Sequence, residues 1–326
     1  MKEMRQKQLD GKPIYYWIGG DPRKETILFL HSAFSDHRCF DEQINFFIND
    51  YQIIMLDLIG HGKSVDGKKG EKTFVRRSLS SRAPLVAEAT PGQIFSLSRG
   101  SGQREGQHNT KDRRQISRFI MNLCRRKRRH VGKDVGLEKM ADYIHQLLIF
   151  ESIERVHLVG VSIGGILAQD FSNHYPDFVA SIFCVGAYDI NNFDKKMQKE
   201  NNAGQAKLII KALFSIKWFA ESNRKISAFT PNGQDKYYQM NLGFKRSSFR
   251  YFTKLSKIIN VQSTKKRDYP LTIACGEKDA PLAVKASRLW HDREPESQLV
   301  FFENAGHHVN LDLPYEFNVS LMEHLK

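Results

Sequence analysis

Gly160-Val161-Ser162-Ile163-Gly164 sets a serine between two glycines where one apolar run ends and another begins. The run before it, Val156-His157-Leu158-Val159, has the length and composition of a buried strand. The run after it, Ile163-Gly164-Gly165-Ile166-Leu167-Ala168, opens a helix. A serine hydroxyl is a poor nucleophile until a base takes its proton. A tight strand-to-helix turn favours that role, because it exposes the hydroxyl and the glycines leave room where a Cβ would clash. The helix N-terminus adds free N–H groups for a developing oxyanion. The plain alternative is a glycine-rich turn carrying an idle serine.

Such a serine needs partners. The chain holds 12 histidines. Two of them, in Asn304-Ala305-Gly306-His307-His308, follow the last strand-like run, Gln298–Phe302, and so fall at a strand end where catalytic groups gather. A neutral imidazole acting as base needs its other nitrogen held by an acceptor. Glu277 and Asp279, in Cys275-Gly276-Glu277-Lys278-Asp279, close the preceding apolar strand and are the candidate acids. Of the two oxyanion donors, one is expected from Ile163, the residue after the serine. The other is expected from Leu30-His31-Ser32-Ala33-Phe34, with Ala33 the first choice and Phe34 the second.

The elements that must position these residues alternate. Strands are predicted at Lys12–Gly19, Thr26–Leu30, Tyr51–Ile59, Arg155–Val161, Val179–Val185, Leu271–Cys275 and Gln298–Phe302. Helices are predicted at His37–Asn49, Leu137–Phe150, Ile163–His174, near Leu282–Asp292 and from Leu313 to Lys326. This pattern predicts an α/β fold with a mostly parallel sheet covered on both faces.

Two segments interrupt it, and they carry the charge. The chain has a formal net charge of +14. Residues 65–136 hold +12 and residues 190–262 hold +10, leaving −8 for the remainder. Residues 65–136 are rich in Ser, Gly, Arg and Gln with little periodicity, which predicts a basic, low-complexity, disordered insertion. Within it, Ile116, Phe119, Ile120 and Leu123 precede Arg125–Arg129 at helical spacing, so residues 112–130 would suit a weak contact with an anionic surface. A solvated charge run is the simpler reading of the same residues. Residues 190–262 contain aromatic helical patches between two strands and are expected to form a helical lid. The lid's positive charge suggests an anionic substrate or anionic surface, and a solvated basic face explains it equally.

No apolar stretch approaches the roughly 20 residues of a membrane-spanning helix. The charged start, Met1-Lys2-Glu3-Met4-Arg5, lacks the apolar region of a secretion signal. Cysteines at 39, 124, 184 and 275 stand at no metal-ligand spacing and form no disulfide framework. A cytoplasmic enzyme needing neither metal nor cofactor is therefore expected. No reading helix or aromatic–basic RNA module is evident, so no obligatory nucleic-acid partner is expected.

Five blocks together resemble the α/β-hydrolase superfamily. Leu30–Phe34 is similar to its H-G-x loop, and Asp57-Leu58-Ile59-Gly60-His61-Gly62-Lys63-Ser64 to D-x-x-G-H-G-x-S. The elbow at Gly160–Gly165, Gly276–Asp279 and Gly306-His307 complete the set. Ser32 departs from the usual glycine, and residues 65–136 enter where relatives pass quickly to the next helix. The resemblance implies an eight-stranded sheet under a helical lid, a structural role for Asp57–Ser64, and the triad order Ser162, Asp279, His307. It favours His307 over His308 and Asp279 over Glu277. The expected activity is hydrolysis of an ester-like bond in a small, partly apolar molecule through an acyl-enzyme. C–C bond hydrolysis or lactone opening on the same residues are alternatives, and so is an idle fold that binds through its basic segments.

Overall fold

Leu28, Leu30, Ile54, Leu56, Leu158 and Ile182 point into one buried cluster, while Ile27, Phe29, Ile53, Met55, Val159 and Phe183 point into another. Side chains alternate across a pleated strand, so runs apolar at every position can only be central strands covered on both faces. The computed structural model describes residues 3–65, 135–194, 196, 197, 199, 208, 210–259 and 267–326, all within one unit. The expected insertion, apart from its first and last two residues, lies outside the described residues. Its Ile116–Leu123 patch and Arg125–Arg129 run lie there too.

Eight strands form one sheet: β1 (Glu3–Leu9), β2 (Lys12–Gly19), β3 (Thr26–Leu30), β4 (Gln52–Leu56), β5 (Val156–Val161), β6 (Val179–Val185), β7 (Leu271–Gly276) and β8 (Gln298–Phe302). Their order is β1-β2-β4-β3-β5-β6-β7-β8. β1 and β2 are antiparallel, β2 meets β4 antiparallel, and the remaining pairs are parallel. The sequence reading did not include β1. Its alternating charged residues leave it largely exposed at the sheet edge, without an apolar run to mark it. The signal present was Asp10-Gly11, both at positive φ (49° and 74°), the two-residue turn that closes a tight hairpin.

Helices cover both faces. α2 (Met140–Phe150), α3 (Ile163–His174) and α6 (Pro281–Arg293) supply buried residues to the first cluster. α1 (Asp41–Phe47) and α8 (Pro314–His324) supply them to the second, with Phe317 and Leu321 fully buried. Fully burying a side chain of this size stabilises by about 1.5–3 kcal/mol. Between β6 and β7 lie α4 (Ile216–Ser227), α5 (Pro231–Leu242) and two 3₁₀ turns, Arg246–Phe252 and Leu255–Ile258. A one-turn α7 (Val309–Asp312) follows the last strand. From β3 the chain moves out to β4, then returns past β3 to β5, so the strand order reverses there. Such a switch point leaves a crevice at the strands' C-terminal ends, where ligands bind in open α/β sheets.

Candidate active site

Ser162 is the residue between β5 and α3, at φ 56° and ψ −117°. A non-glycine backbone there costs on the order of 1–3 kcal/mol and persists only when the surroundings enforce it. They do so by close approach. A Cβ on Gly164 would lie 2.0 Å from the Leu30 carbonyl oxygen, and one on Gly160 would meet Gly164 and Gly165 backbone at 2.5 Å. The Ser162 N–H donates to the Val185 carbonyl at 2.7 Å, and the Ser162 carbonyl accepts from Gly165 and Ile166. Strand, turn and helix thus lock together, and the amide of Ile163 heads α3 with no acceptor among the described residues.

His307 and Asp279 come from the loops after β8 and β7. His307 Nδ1 donates to Asp279 Oδ2 at 2.7 Å. Asp279 is buried, and its other oxygen accepts the Ala280 N–H at 2.6 Å. The Cys275 thiol is a third donor, 3.8 Å from Oδ2. Burial pushes that thiol up to about 12, so it remains protonated and able to donate. For His307, burial opposes the imidazolium, but the Asp279 charge and hydrogen bond outweigh it, so the imidazole lies above its ordinary value. Gly186, at φ 59° after β6, packs directly on this ring, where a Cβ would come within 2.9 Å of Nδ1. Glu277, the other candidate acid, is exposed and lies outside the lining of the cavity that holds Ser162.

His308 sits beside His307 in a different environment. Its Nδ1 donates to the Ser227 carbonyl at 3.0 Å, and its Nε2 accepts from the Ser32 hydroxyl at 2.6 Å. Both nitrogens are occupied, and burial pushes the imidazole down to about 3. Ser32 therefore ties the loop after β3 to the loop after β8. Within the loop after β3, His31 Nδ1 donates to the Ser32 carbonyl at 2.8 Å while His31 Nε2 accepts the Leu58 N–H at 3.0 Å. Fixing that carbonyl turns the Ala33 N–H the opposite way, because the peptide is planar and trans. The Ala33 N–H has no acceptor among the described residues. The Tyr237 hydroxyl donates to the Ala33 carbonyl at 2.9 Å, which orients the next peptide and the Phe34 N–H in the same manner.

Asp312 is a further organiser that the sequence reading missed. Its carboxylate accepts the backbone N–H groups of Gly306, Phe229 and Thr230 and the Thr230 hydroxyl, all within 3.1 Å. It thereby clamps the His307 loop to the start of α5. No local motif marks such a through-space clamp. Asp57 plays a comparable part below the site, where it accepts from His37 through N–H and Nδ1 and from the Lys63 N–H. Asp36, His37 and Asp57 have spacing that could suit a metal, but these bonds and the Asp36–Arg38 pair already use their facing atoms.

Ser162, Asp279, His307, Ala33 and Ile163 all line one cavity of about 720 Å³. A family model for the alpha/beta hydrolase fold matches residues 25–314. The chain belongs to the α/β-hydrolase fold family. It is a hydrolase by that membership, and the eight-stranded, mostly parallel sheet is the fold expected of it. Among curated relatives it is similar to RutD of Escherichia coli O150:H5 (strain SE15), to which carbamate hydrolysis is ascribed. The two are 22% identical over 204 residues, 60% of this chain and 75% of that protein. Among solved structures it is similar to the esterase EaEST of Exiguobacterium antarcticum, with TM-score 0.67 and 16% identity over 100% of this chain and 99% of the other. A thermophilic esterase of Thermogutta terrifontis gives TM-score 0.65 and 15% identity over 99% and 98%.

The rest of the cavity wall is largely apolar, including Ile166, Phe193, Phe249, Phe252, Leu282 and Ala286. No Lys, Arg or Glu is among the described residues lining it. The described Lys and Arg residues of 190–262 therefore do not line the cavity, which weakens the reason for expecting an anionic substrate. Among the described residues, no helix is long and apolar enough to cross a membrane.

Proposed function

We propose that this hydrolase cleaves an ester-like bond in a small, uncharged, mainly apolar molecule, with Ser162 as nucleophile. The observation that carries the reading is the 2.7 Å bond from His307 to buried Asp279, in the same cavity wall as a serine held at positive φ. His307 Nδ1 keeps its proton on Asp279, which leaves Nε2 as the acceptor for the Ser162 proton. Ser162 Oγ attacks the carbonyl carbon, and the oxyanion is held by the N–H groups of Ile163 and Ala33. His307, now an imidazolium stabilised by Asp279, protonates the leaving alcohol. Water deprotonated by His307 then attacks the acyl-enzyme, and Ser162 is released with its proton.

The lid reading of residues 190–262 supports the same choice of substrate, since Phe193, Tyr237, Phe249 and Phe252 from this segment line the cavity. Carbamates share the carbonyl chemistry and belong in the test panel because of the likeness to RutD. The test is labelling with a fluorophosphonate probe alongside hydrolysis of short neutral esters. Labelling and hydrolysis that both vanish in Ser162→Ala support the proposal, with a rate loss of about 10³-fold or more. Labelling that persists in Ser162→Ala overturns it. A wild-type chain that neither labels nor hydrolyses favours the idle binding fold.

A further inference from the structure

The lid segment has two apolar faces. Its inner face packs on the core: Ala212, Phe219 and Ala220 are fully buried, and the Phe219 ring lies 5.0 Å from Phe34, edge to face. Its outer face is also apolar yet open to solvent. Phe214 is 77% exposed, Trp218 and Ile210 are each 51% exposed, and Leu213 is 46% exposed. Ile210, Leu213 and Phe214 fall at i, i+3 and i+4, so they share one helical face. The helix breaks at extended Ser215, and Trp218 stands in the first turn of α4, close enough for Lys211 to reach its ring. Scattered exposed apolar residues are ordinary, but a cluster of four large ones marks an interaction surface.

Cations are set among them. Lys211 Nζ lies 5.5 Å from the centre of the Trp218 ring. Arg246 donates to the Phe214 carbonyl at 3.4 Å, and Lys217 is exposed beside Trp218. This is where positive charge absent from the cavity wall is found. The patch also adjoins the cavity. Ile226, two turns along α4 from Trp218, lines the cavity while 60% exposed, so it stands at the rim. Leu208, just before Ile210, lines it as well.

We propose that this outer face, Ile210, Leu213, Phe214 and Trp218 with Lys211, Lys217 and Arg246, docks on an anionic lipid surface and sets the cavity mouth against it. Large apolar side chains enter the acyl boundary while neighbouring cations meet anionic headgroups. A second copy of the chain would set like charges face to face. An acidic protein would account for the cations but not for exposed Phe and Trp beside an apolar cavity. A lipid phase accounts for both, and resting on the proposed substrate class, it is also where apolar esters concentrate.

Flotation of the full chain as Ser162→Ala on vesicles of phosphatidylglycerol and phosphatidylcholine, against phosphatidylcholine alone, tests docking without any need for catalysis. Binding is expected to the anionic vesicles, weakened by salt. Phe214→Asp with Trp218→Asp should lower it at least tenfold, and Lys211→Glu with Lys217→Glu should lower it on anionic vesicles only. In the Ser162 background these variants should hydrolyse a soluble short ester at the unaltered rate. If no ester is cleaved by any form, an unchanged melting temperature replaces that folding control, and flotation still decides. Absent binding, or binding that survives both double variants but is lost when Arg125–Arg129 are neutralised, overturns the proposal. A concentration-dependent dimer abolished by the same variants, with no vesicle binding, also overturns it.

Discussion

Replacing Asp279 with Asn keeps the shape of the site and removes one charge. In the wild-type chain Asp279 Oδ2 accepts the His307 Nδ1 proton at 2.7 Å, and Asp279 Oδ1 accepts from Ala280. The amide can still accept from Ala280 through its oxygen, which turns its NH₂ toward His307. That favours the tautomer with the proton on Nε2, where the imidazole cannot accept from Ser162. The expected loss in kcat/KM is about 10³–10⁴-fold. At 1.36 kcal/mol per tenfold this is about 4–5.5 kcal/mol of lost transition-state stabilisation.

The pH dependence makes the argument sharper. Burial lowers the His307 imidazole, and both influences that raise it come from Asp279. In Asp279→Asn only burial remains, so the acid limb of kcat/KM should move to lower pH. Stability should follow the same linkage. A raised imidazole stabilises the fold fully below the unfolded value of about 6.5 and loses that contribution as pH rises through the folded value. The melting-temperature gap between wild type and variant should therefore widen as pH falls through this window. The assay is kcat/KM for a soluble nitrophenyl ester, read at its isosbestic wavelength across pH, with thermal melts beside it. An acid limb that stays in place or moves up would refute the assignment of His307 as the base held by Asp279.

Ser32→Gly restores the glycine more usual in this loop but strands the buried His308 Nε2. It should cost about 1–3 kcal/mol in urea unfolding, the penalty of an unsatisfied buried polar group. Gly164→Ala sets a Cβ 2.0 Å from the Leu30 carbonyl oxygen and should destabilise by about 3 kcal/mol, with loss of labelling by the probe. Tyr237→Phe removes the donor to the Ala33 carbonyl; it should lower kcat more than it alters KM, since the ring keeps its place in the cavity wall while the proposed oxyanion donor at Ala33 loses its orientation. Equal kcat in Tyr237→Phe and wild type would show that this hydroxyl does not orient the loop.

The residues at strand ends were legible in sequence because each sits in a short block whose chemistry is local: glycines around Ser162, a carboxylate after an apolar strand, a histidine after the last one. The central strands were legible because burial on both faces leaves mainly apolar runs, whose polar residues Thr26, His157 and Thr272 fall only at or next to the strand starts. What escaped is what joins blocks through space. Asp312 is separated from Thr230 by 82 positions, with α5, β7, α6 and β8 between them, and nothing near either residue announces the clamp. Ser32 looked like a mere departure from the glycine of the family's loop. Among the described residues its hydroxyl is the one side-chain donor to His308 Nε2, while His308 in turn donates to the end of α4 at Ser227. A glycine there would leave His308 without that partner, so the serine after His31 and the second histidine of the His307-His308 pair depend on one another. Neither residue announces the bond from its own neighbourhood, and together they tie the loop after β3, the loop after β8 and the end of α4 to one another.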